Sequence, residues 1–266
     1  MGEAKNKRQR FLAAHPLCCF CGGSEPATTI DHVPPRTCFP DRIGPEGFEF
    51  PACDHCQRAS RIDEMAVAFF VRLVDPDEAS YREDQTSKAL LGIKNNAPEV
   101  IPHFNLPGAA KRRFYREFDI QRPVGVFSSD LPVVGVPEEA HEPLLRYARK
   151  LACALFYREM GRPAPPDYCV WTSWYQGANR AHMLGLRKFV EMTPLVTKGE
   201  RPNLEFGNRF GYRCNKTNTP DLFAALAQFG EGLTMAMVIV NPDSRDRLEH
   251  DDWVSVGDIY PTVAGE

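Results

Sequence analysis

The sequence predicts an α+β protein in two parts: a small cysteine-stapled N-terminal module over residues 1–90, and a domain of helices and antiparallel strands over residues 91–266. Three observations carry this. Six of the nine cysteines crowd between Cys18 and Cys56, leaving Cys153, Cys169 and Cys214 scattered as small apolar core residues. Apolar side chains then recur at three- and four-residue spacing in two long stretches, about 57–74 and 138–160, as helices require. Beyond residue 160 the pattern shortens to strand-like runs around 168–175, 191–197, 206–213 and 233–240, the last closed by Asn241-Pro242-Asp243.

The elements follow in order. Residues 3–14 read as a short basic helix that ends before Pro16. Thr28-Thr29-Ile30 has the β-branched character of a strand, and Pro34-Pro35 stops it. Residues 39–51, with three prolines and two glycines, form a loop. The helix at 57–74 carries Ile62, Met65, Ala66, Phe69, Phe70 and Leu73 on one face and ends at Asp75-Pro76. Residues 77–108 are polar and punctuated by proline, and part of that stretch is expected to link the two parts. The helix at 138–160 buries Leu144, Leu145, Ala148, Leu151, Ala152, Leu155 and Phe156, and Gly161-Arg162-Pro163 terminates it. Trp171, Trp174 and Tyr175 are expected in a core or interface.

Composition sets outer limits. With 43% apolar and 25% charged residues, the chain belongs with globular domains and not with disordered or coiled-coil proteins. Its longest apolar runs, Met65–Val71 and Met235–Val240, fall far short of the roughly 20 residues of a membrane span. No apolar run follows the basic start, so neither a signal peptide nor a membrane is expected, and the expected location is cytoplasmic. A net charge of −3 gives no global attraction to nucleic acid, so any such contact must come from local patches.

The chemistry lies in residues 17–56. Cys18-Cys19-Phe20-Cys21, followed by Gly22-Gly23, is one C-x-x-C; Cys53-Asp54-His55-Cys56 is a second. Two such pairs can place four thiolates around one tetrahedral ion, and the glycines permit the tight turn of the first knuckle. We therefore expect a structural Zn²⁺ held by Cys18, Cys21, Cys53 and Cys56, with Cys19 an alternative to Cys18 and Cys38 a reserve ligand. Residues 22–52 make a longer spacer than the roughly 15–20 residues common between zinc knuckles. A four-thiolate site leaves no open position, so this zinc would staple the fold and not catalyse.

Between the pairs stands Asp31-His32-Val33-Pro34-Pro35-Arg36, at the end of the expected strand. A histidine there can serve as a general base near neutral pH. The adjoining carboxylate can take a hard divalent ion, and Arg36 can clamp a phosphate. A base for water beside a cation for phosphate oxygen suits phosphodiester hydrolysis.

Taken together, Cys-x-x-Cys, Asp-His-Val-Pro-Pro-Arg, and Cys-x-x-Cys at the mouth of a helix resemble the zinc-binding subgroup of the HNH endonucleases, over about residues 15–75. The resemblance implies a ββα-metal fold for the module and a metal-dependent endonuclease acting on DNA, with RNA the other candidate. It implies that His32 is the general base and that Asp31 is a ligand of a catalytic Mg²⁺ or Mn²⁺, the co-ligand position falling on Gln57. This chain departs from the family in two places. No asparagine lies between Asn6 and Asn95, so the family's middle asparagine is missing, and Gln57 stands where a His or Asn is usual; His55 or Asp63 could substitute.

Nucleic-acid contacts are expected from Arg58 and Arg61 on the helix and from Lys5 and Arg8 in the basic N-terminal cluster that also holds Lys7 and Arg10. Lys111-Arg112-Arg113-Phe114-Tyr115-Arg116 is a further basic patch with interleaved aromatics. The alternative function is a zinc-stabilised module that binds nucleic acid or a partner without cutting.

Overall fold

The computed structural model describes residues 2–73, 83–117, 124–130, 133–176, 196–198, 209–215, 221–230, 232–246 and 251–261, with the single positions 121, 187, 189 and 248. Helices and antiparallel sheets make up an α+β fold. Helix α1 (Gly2–Ala14) leads into the first cysteine pair. Strands β1 (Thr29–His32) and β2 (Glu49–Ala52) form a two-stranded antiparallel sheet, with Thr29 opposite Ala52 and His32 opposite Glu49. Helix α2 (Asp54–Ala59) and helix α3 (Arg61–Leu73) follow directly.

The single helix expected at 57–74 is thus two. It starts earlier, because Cys53 caps α2 by accepting the Cys56 N–H on its sulfur. It breaks at Ser60, whose backbone leaves helical ψ (−4°) while its N–H still bonds the Cys56 carbonyl. The expected linker contains helix α4 (Glu83–Asn96), which packs on α3 through the fully buried Ile93. The boundary expected between residues 90 and 91 falls inside this helix. Helix α5 (Gly108–Glu117) carries the basic patch. Lys111 is buried with its ammonium on the Ser129 carbonyl (2.7 Å) and Tyr115 is buried, while Arg112, Arg113 and Arg116 are exposed.

Helix α6 (His141–Met160) is the spine of the second half. From Pro143 to Phe156 nearly every side chain is buried, including Arg149 and Lys150. Gly161, at φ 69°, ends it in the left-handed conformation and returns its N–H to the Tyr157 carbonyl. One face of α6 lies on a six-stranded antiparallel sheet built from β3 (Cys169–Gln176), β4 (Val196–Lys198), β5 (Phe210–Cys214), β6 (Leu222–Phe229), β7 (Leu233–Val240) and β8 (Val254–Ser255), in the order β4-β5-β6-β7-β3-β8. Part of the expected strand at 191–197 and the first residues of that at 206–213 lie outside the described residues.

The central strands are buried on both faces. Phe223, Ala225, Ala227 and Phe229 of β6 join the main core with Met235, Met237 and Ile239 of β7. Ala224 and Leu226 face the other way, with Ala236, Val238, Val240 and Phe189. Burial on both sides explains why these strands read as continuous apolar runs and not as alternating ones. Trp174 lies in the main core against Phe70 and His141, and Trp171 stacks on Phe189. The main apolar cluster runs from Cys18 through α3 and α6 to Tyr260, so the cysteine-rich hairpin and the six-stranded sheet share a core. Among the described residues no helix is long and apolar enough to cross a membrane.

Candidate metal centre and active site

Each cysteine pair sits on a turn the local sequence dictates. In the first, Gly22 and Gly23 adopt φ of 68° and 80°, and the Gly23 N–H returns to the Cys18 carbonyl. A Cβ on Gly22 would lie 2.6 Å from the Pro166 backbone, so the knuckle presses directly on the loop before β3. The second pair opens α2, and Thr28 donates its hydroxyl to Asp54 (2.8 Å), tying the helix start to the approach of β1.

The chain thereby brings the thiols of Cys18, Cys21, Cys53 and Cys56 together, all four sulfurs within 4.8 Å of one another. Thiolates on a tetrahedral zinc lie about 3.8 Å apart, so small side-chain movements would close the set on an ion. The Phe20 N–H points at the Cys18 sulfur and the Cys56 N–H at the Cys53 sulfur, both at 3.4 Å. Hydrogen bonds with Cys18 and Cys56 hold the Cys21 thiol below its ordinary value, while hydrogen bonds with Cys18 and Cys21, and burial, push Cys56 up. A cluster of this donor set fits a structural zinc. Cys19 and Cys38 lie outside the set, and burial pushes the thiols of both up.

His32 stands at the other end of the hairpin. The Cys53 side of the β1–β2 ladder begins at Thr29–Ala52 and ends at His32–Glu49, three residues on, or about 10 Å at the rise of a strand. His32 is half-buried and lines a cleft of about 600 Å³ with Lys7, Arg36, Glu46, Phe48 and Glu49. Burial, and then the nearby Arg36 guanidinium, hold its pKa below the ordinary histidine value; Glu49 and Asp31 oppose them. At neutral pH the ring is therefore uncharged and free to accept a proton. Arg158 of α6 fixes the far wall, donating to the Gly47 carbonyl with its guanidinium over the Phe48 ring (4.3 Å).

Asp31 points to the other face of β1, as strand alternation requires. Its Oδ2 takes the Lys150 ammonium at 2.5 Å and its Oδ1 accepts the His32 N–H at 2.8 Å. The same ammonium donates to Ser60 Oγ (2.7 Å) and Glu64 Oε1 (2.5 Å). Burial pulls the Lys150 pKa down, but Asp31 and Glu64 outweigh it and hold it above the usual lysine value. Glu64, mostly desolvated and beside a second carboxylate, is raised instead.

The other expected residues are more dispersed. Gln57 is half-buried on α2 and is not among the residues lining the cleft. His55 sets its Nε2 against the Tyr260 carbonyl at 3.0 Å, and Asp63 pairs with Arg146 (2.7 Å) and Tyr260 (3.2 Å). Arg58, Arg61 and Lys5 are exposed, and Arg8 donates to the Thr28 carbonyl at 2.8 Å. None of these four lines the cleft; the basic residues that do are Lys7 and Arg36.

Sequence reasoning missed Lys150, Ser60, Glu64 and Glu49. Lys150 left one signal, an ammonium set directly before the apolar run Leu151-Ala152-Cys153-Ala154-Leu155-Phe156, where a buried charge demands a partner. No family model, curated protein or solved structure matches the chain.

Proposed function

We propose that the chain is an HNH-like phosphodiester hydrolase of nucleic acid, DNA first, built on a zinc-stapled ββα hairpin, with His32 as its general base. The observation that carries this reading is the placement of an uncharged, half-buried His32 in a cleft also lined by the cations Lys7 and Arg36. A phosphate entering the cleft meets both cations. His32 then takes a proton from water as the water oxygen bonds to phosphorus. The bond from phosphorus to the leaving oxygen breaks, and that oxygen takes a proton from solvent. The products are a phosphate monoester end and a hydroxyl end. Zinc on the four cysteines would hold the hairpin in shape and take no part in these steps.

The catalytic divalent ion that the resemblance implies does not fit at Asp31, because both carboxylate oxygens are already engaged. That same engagement favours a second reading, a zinc-stapled module that binds nucleic acid without cutting it. Plasmid nicking with added Mg²⁺ or Mn²⁺, beside a folded His32→Ala variant, separates the two. Cleavage lost in the variant supports the hydrolase. DNA binding by the zinc-loaded protein with no cleavage supports the second reading.

A further inference from the structure

We infer that the Lys150 ammonium is the resident cation of the Asp31 pocket, standing where a divalent ion would otherwise bind that carboxylate. The inference rests on the hydrolase reading only in that the family resemblance behind it would put an ion on Asp31; the geometry and the test stand apart from activity.

The pocket is shaped for an ammonium. A lysine has three N–H donors, and here they meet three oxygens: Asp31 Oδ2, Ser60 Oγ and Glu64 Oε1. The fourth side is closed by the Phe20 ring, whose centroid lies 4.8 Å from Nζ. A small hard ion wants about six oxygens in octahedral array, and an aromatic face supplies none. The oxygens themselves are locked. Ser60 Oγ also donates to Glu64 Oε1 (3.1 Å), and Asp31 Oδ1 holds the His32 N–H.

The donor comes from far along the chain. Asp31 lies on β1, Ser60 and Glu64 lie at the α2–α3 break, and Lys150 lies on the buried face of α6. Lys150 is fully buried and Asp31 is 7% exposed, so neither swings freely into solvent to make room. The cation is therefore part of the fold itself, and the three elements are pinned around it. An acidic pocket that a metalloenzyme would leave open is closed here by the protein's own side chain.

Crystals of the zinc-loaded protein grown with Mn²⁺, with data collected at the manganese edge, test this without altering the chain. The expected map has anomalous density at the four cysteines from zinc and none at Asp31. Manganese bonded to an Asp31 oxygen, with Lys150 turned away, would overturn the inference. Electron paramagnetic resonance supplies an independent arm. Any Mn²⁺ bound by the wild type should be equally bound by Asp31→Asn. A folded Lys150→Met variant should bind Mn²⁺ at least tenfold more tightly than the wild type, through the freed Asp31 and Glu64. Mn²⁺ binding by the wild type that Asp31→Asn abolishes, or a folded Lys150→Met variant with no gain, contradicts the assignment. A protein that proves inactive on every nucleic acid, yet shows the expected maps, defeats the hydrolase reading and leaves this one standing.

Discussion

Lys150 and Asp31 meet at 2.5 Å although 119 positions separate them, and through Asp31 the contact reaches the backbone N–H of His32. The residue proposed as the base is thus anchored by a helix from the other half of the chain. Three polar contacts to the hairpin and α3 come from one helix: Lys150 on Asp31, Arg146 on Asp63 and Arg158 on the Gly47 carbonyl.

Breaking that anchor should be costly. Lys150→Met leaves buried Asp31 and half-buried Glu64 without their cation, and removing one partner of a buried pair costs about 3–5 kcal/mol. Asp31→Asn should cost less, since Lys150 keeps Glu64. The double variant should be more stable than the sum of the two losses predicts, with a coupling of about 1–3 kcal/mol. Urea unfolding of the four proteins measures it; losses that add to within about 0.5 kcal/mol contradict the pairing.

The four-cysteine cluster makes a separate prediction. Elemental analysis should find one zinc per chain, and Cys53→Ala or Cys56→Ala should lose it. Because such a site contributes folding energy outright, chelation should lower the Tm and expose the β1–β2 amides to hydrogen exchange first. Full zinc content in either variant rules out the four-cysteine set. Cys38→Ala should keep the zinc, because Cys38 lies outside the cluster.

His32 should titrate below the ordinary histidine midpoint of about 6.5, as read by NMR of its ring. Burial and Arg36 depress its pKa, with Glu49 and Asp31 opposing and Lys7 and Glu46 also facing the cleft. Arg36→Met should therefore raise the midpoint and Glu49→Gln should lower it. The sign for stability follows. A histidine whose folded pKa is depressed contributes stability above pH 6.5 and loses it as pH falls through the folded value. The acid limb of any cleavage profile should likewise lie below pH 6.5. A midpoint above 6.5 in the wild type contradicts the environment described.

Much of the scaffold was legible in the residues. The knuckles, α1, β1, β7 and α6 follow from Cys spacing, from the Pro34-Pro35 stop and from helical periodicity up to Gly161. Several elements were not. The stretch read as a loop at 39–51 ends in strand β2, because Glu49–Ala52 pairs with β1 despite Pro51. Helix α5 has few apolar residues to show a period, and the two-residue β8 is too short to show one. The β6 run Leu222–Phe229 packs on both faces, so it lacks the period-two alternation that marks a half-buried strand. Helix α4 has a mostly polar surface and fully buries Ile93 alone among its leucines and isoleucine, so its pattern reads as linker. The four-cysteine cluster was legible because its members sit in two short-range pairs. The Lys150 cage was not, because its members come from three elements and only the fold brings them together. Strand alternation did carry a hint, since adjacent Asp31 and His32 must face opposite sides of β1 and so cannot share one solvent-facing cleft.

We propose that His32 acts as the base in hydrolysis of a nucleic-acid backbone. The measurement that tests it most directly is plasmid nicking by zinc-loaded protein, with and without Mg²⁺ or Mn²⁺, beside His32→Ala shown to keep its zinc and its Tm. The account predicts nicking by the wild type and a loss of at least a hundredfold in the variant, the usual share of a general base. Nicking that persists in His32→Ala, or none from a zinc-loaded wild type that binds the DNA, would contradict it.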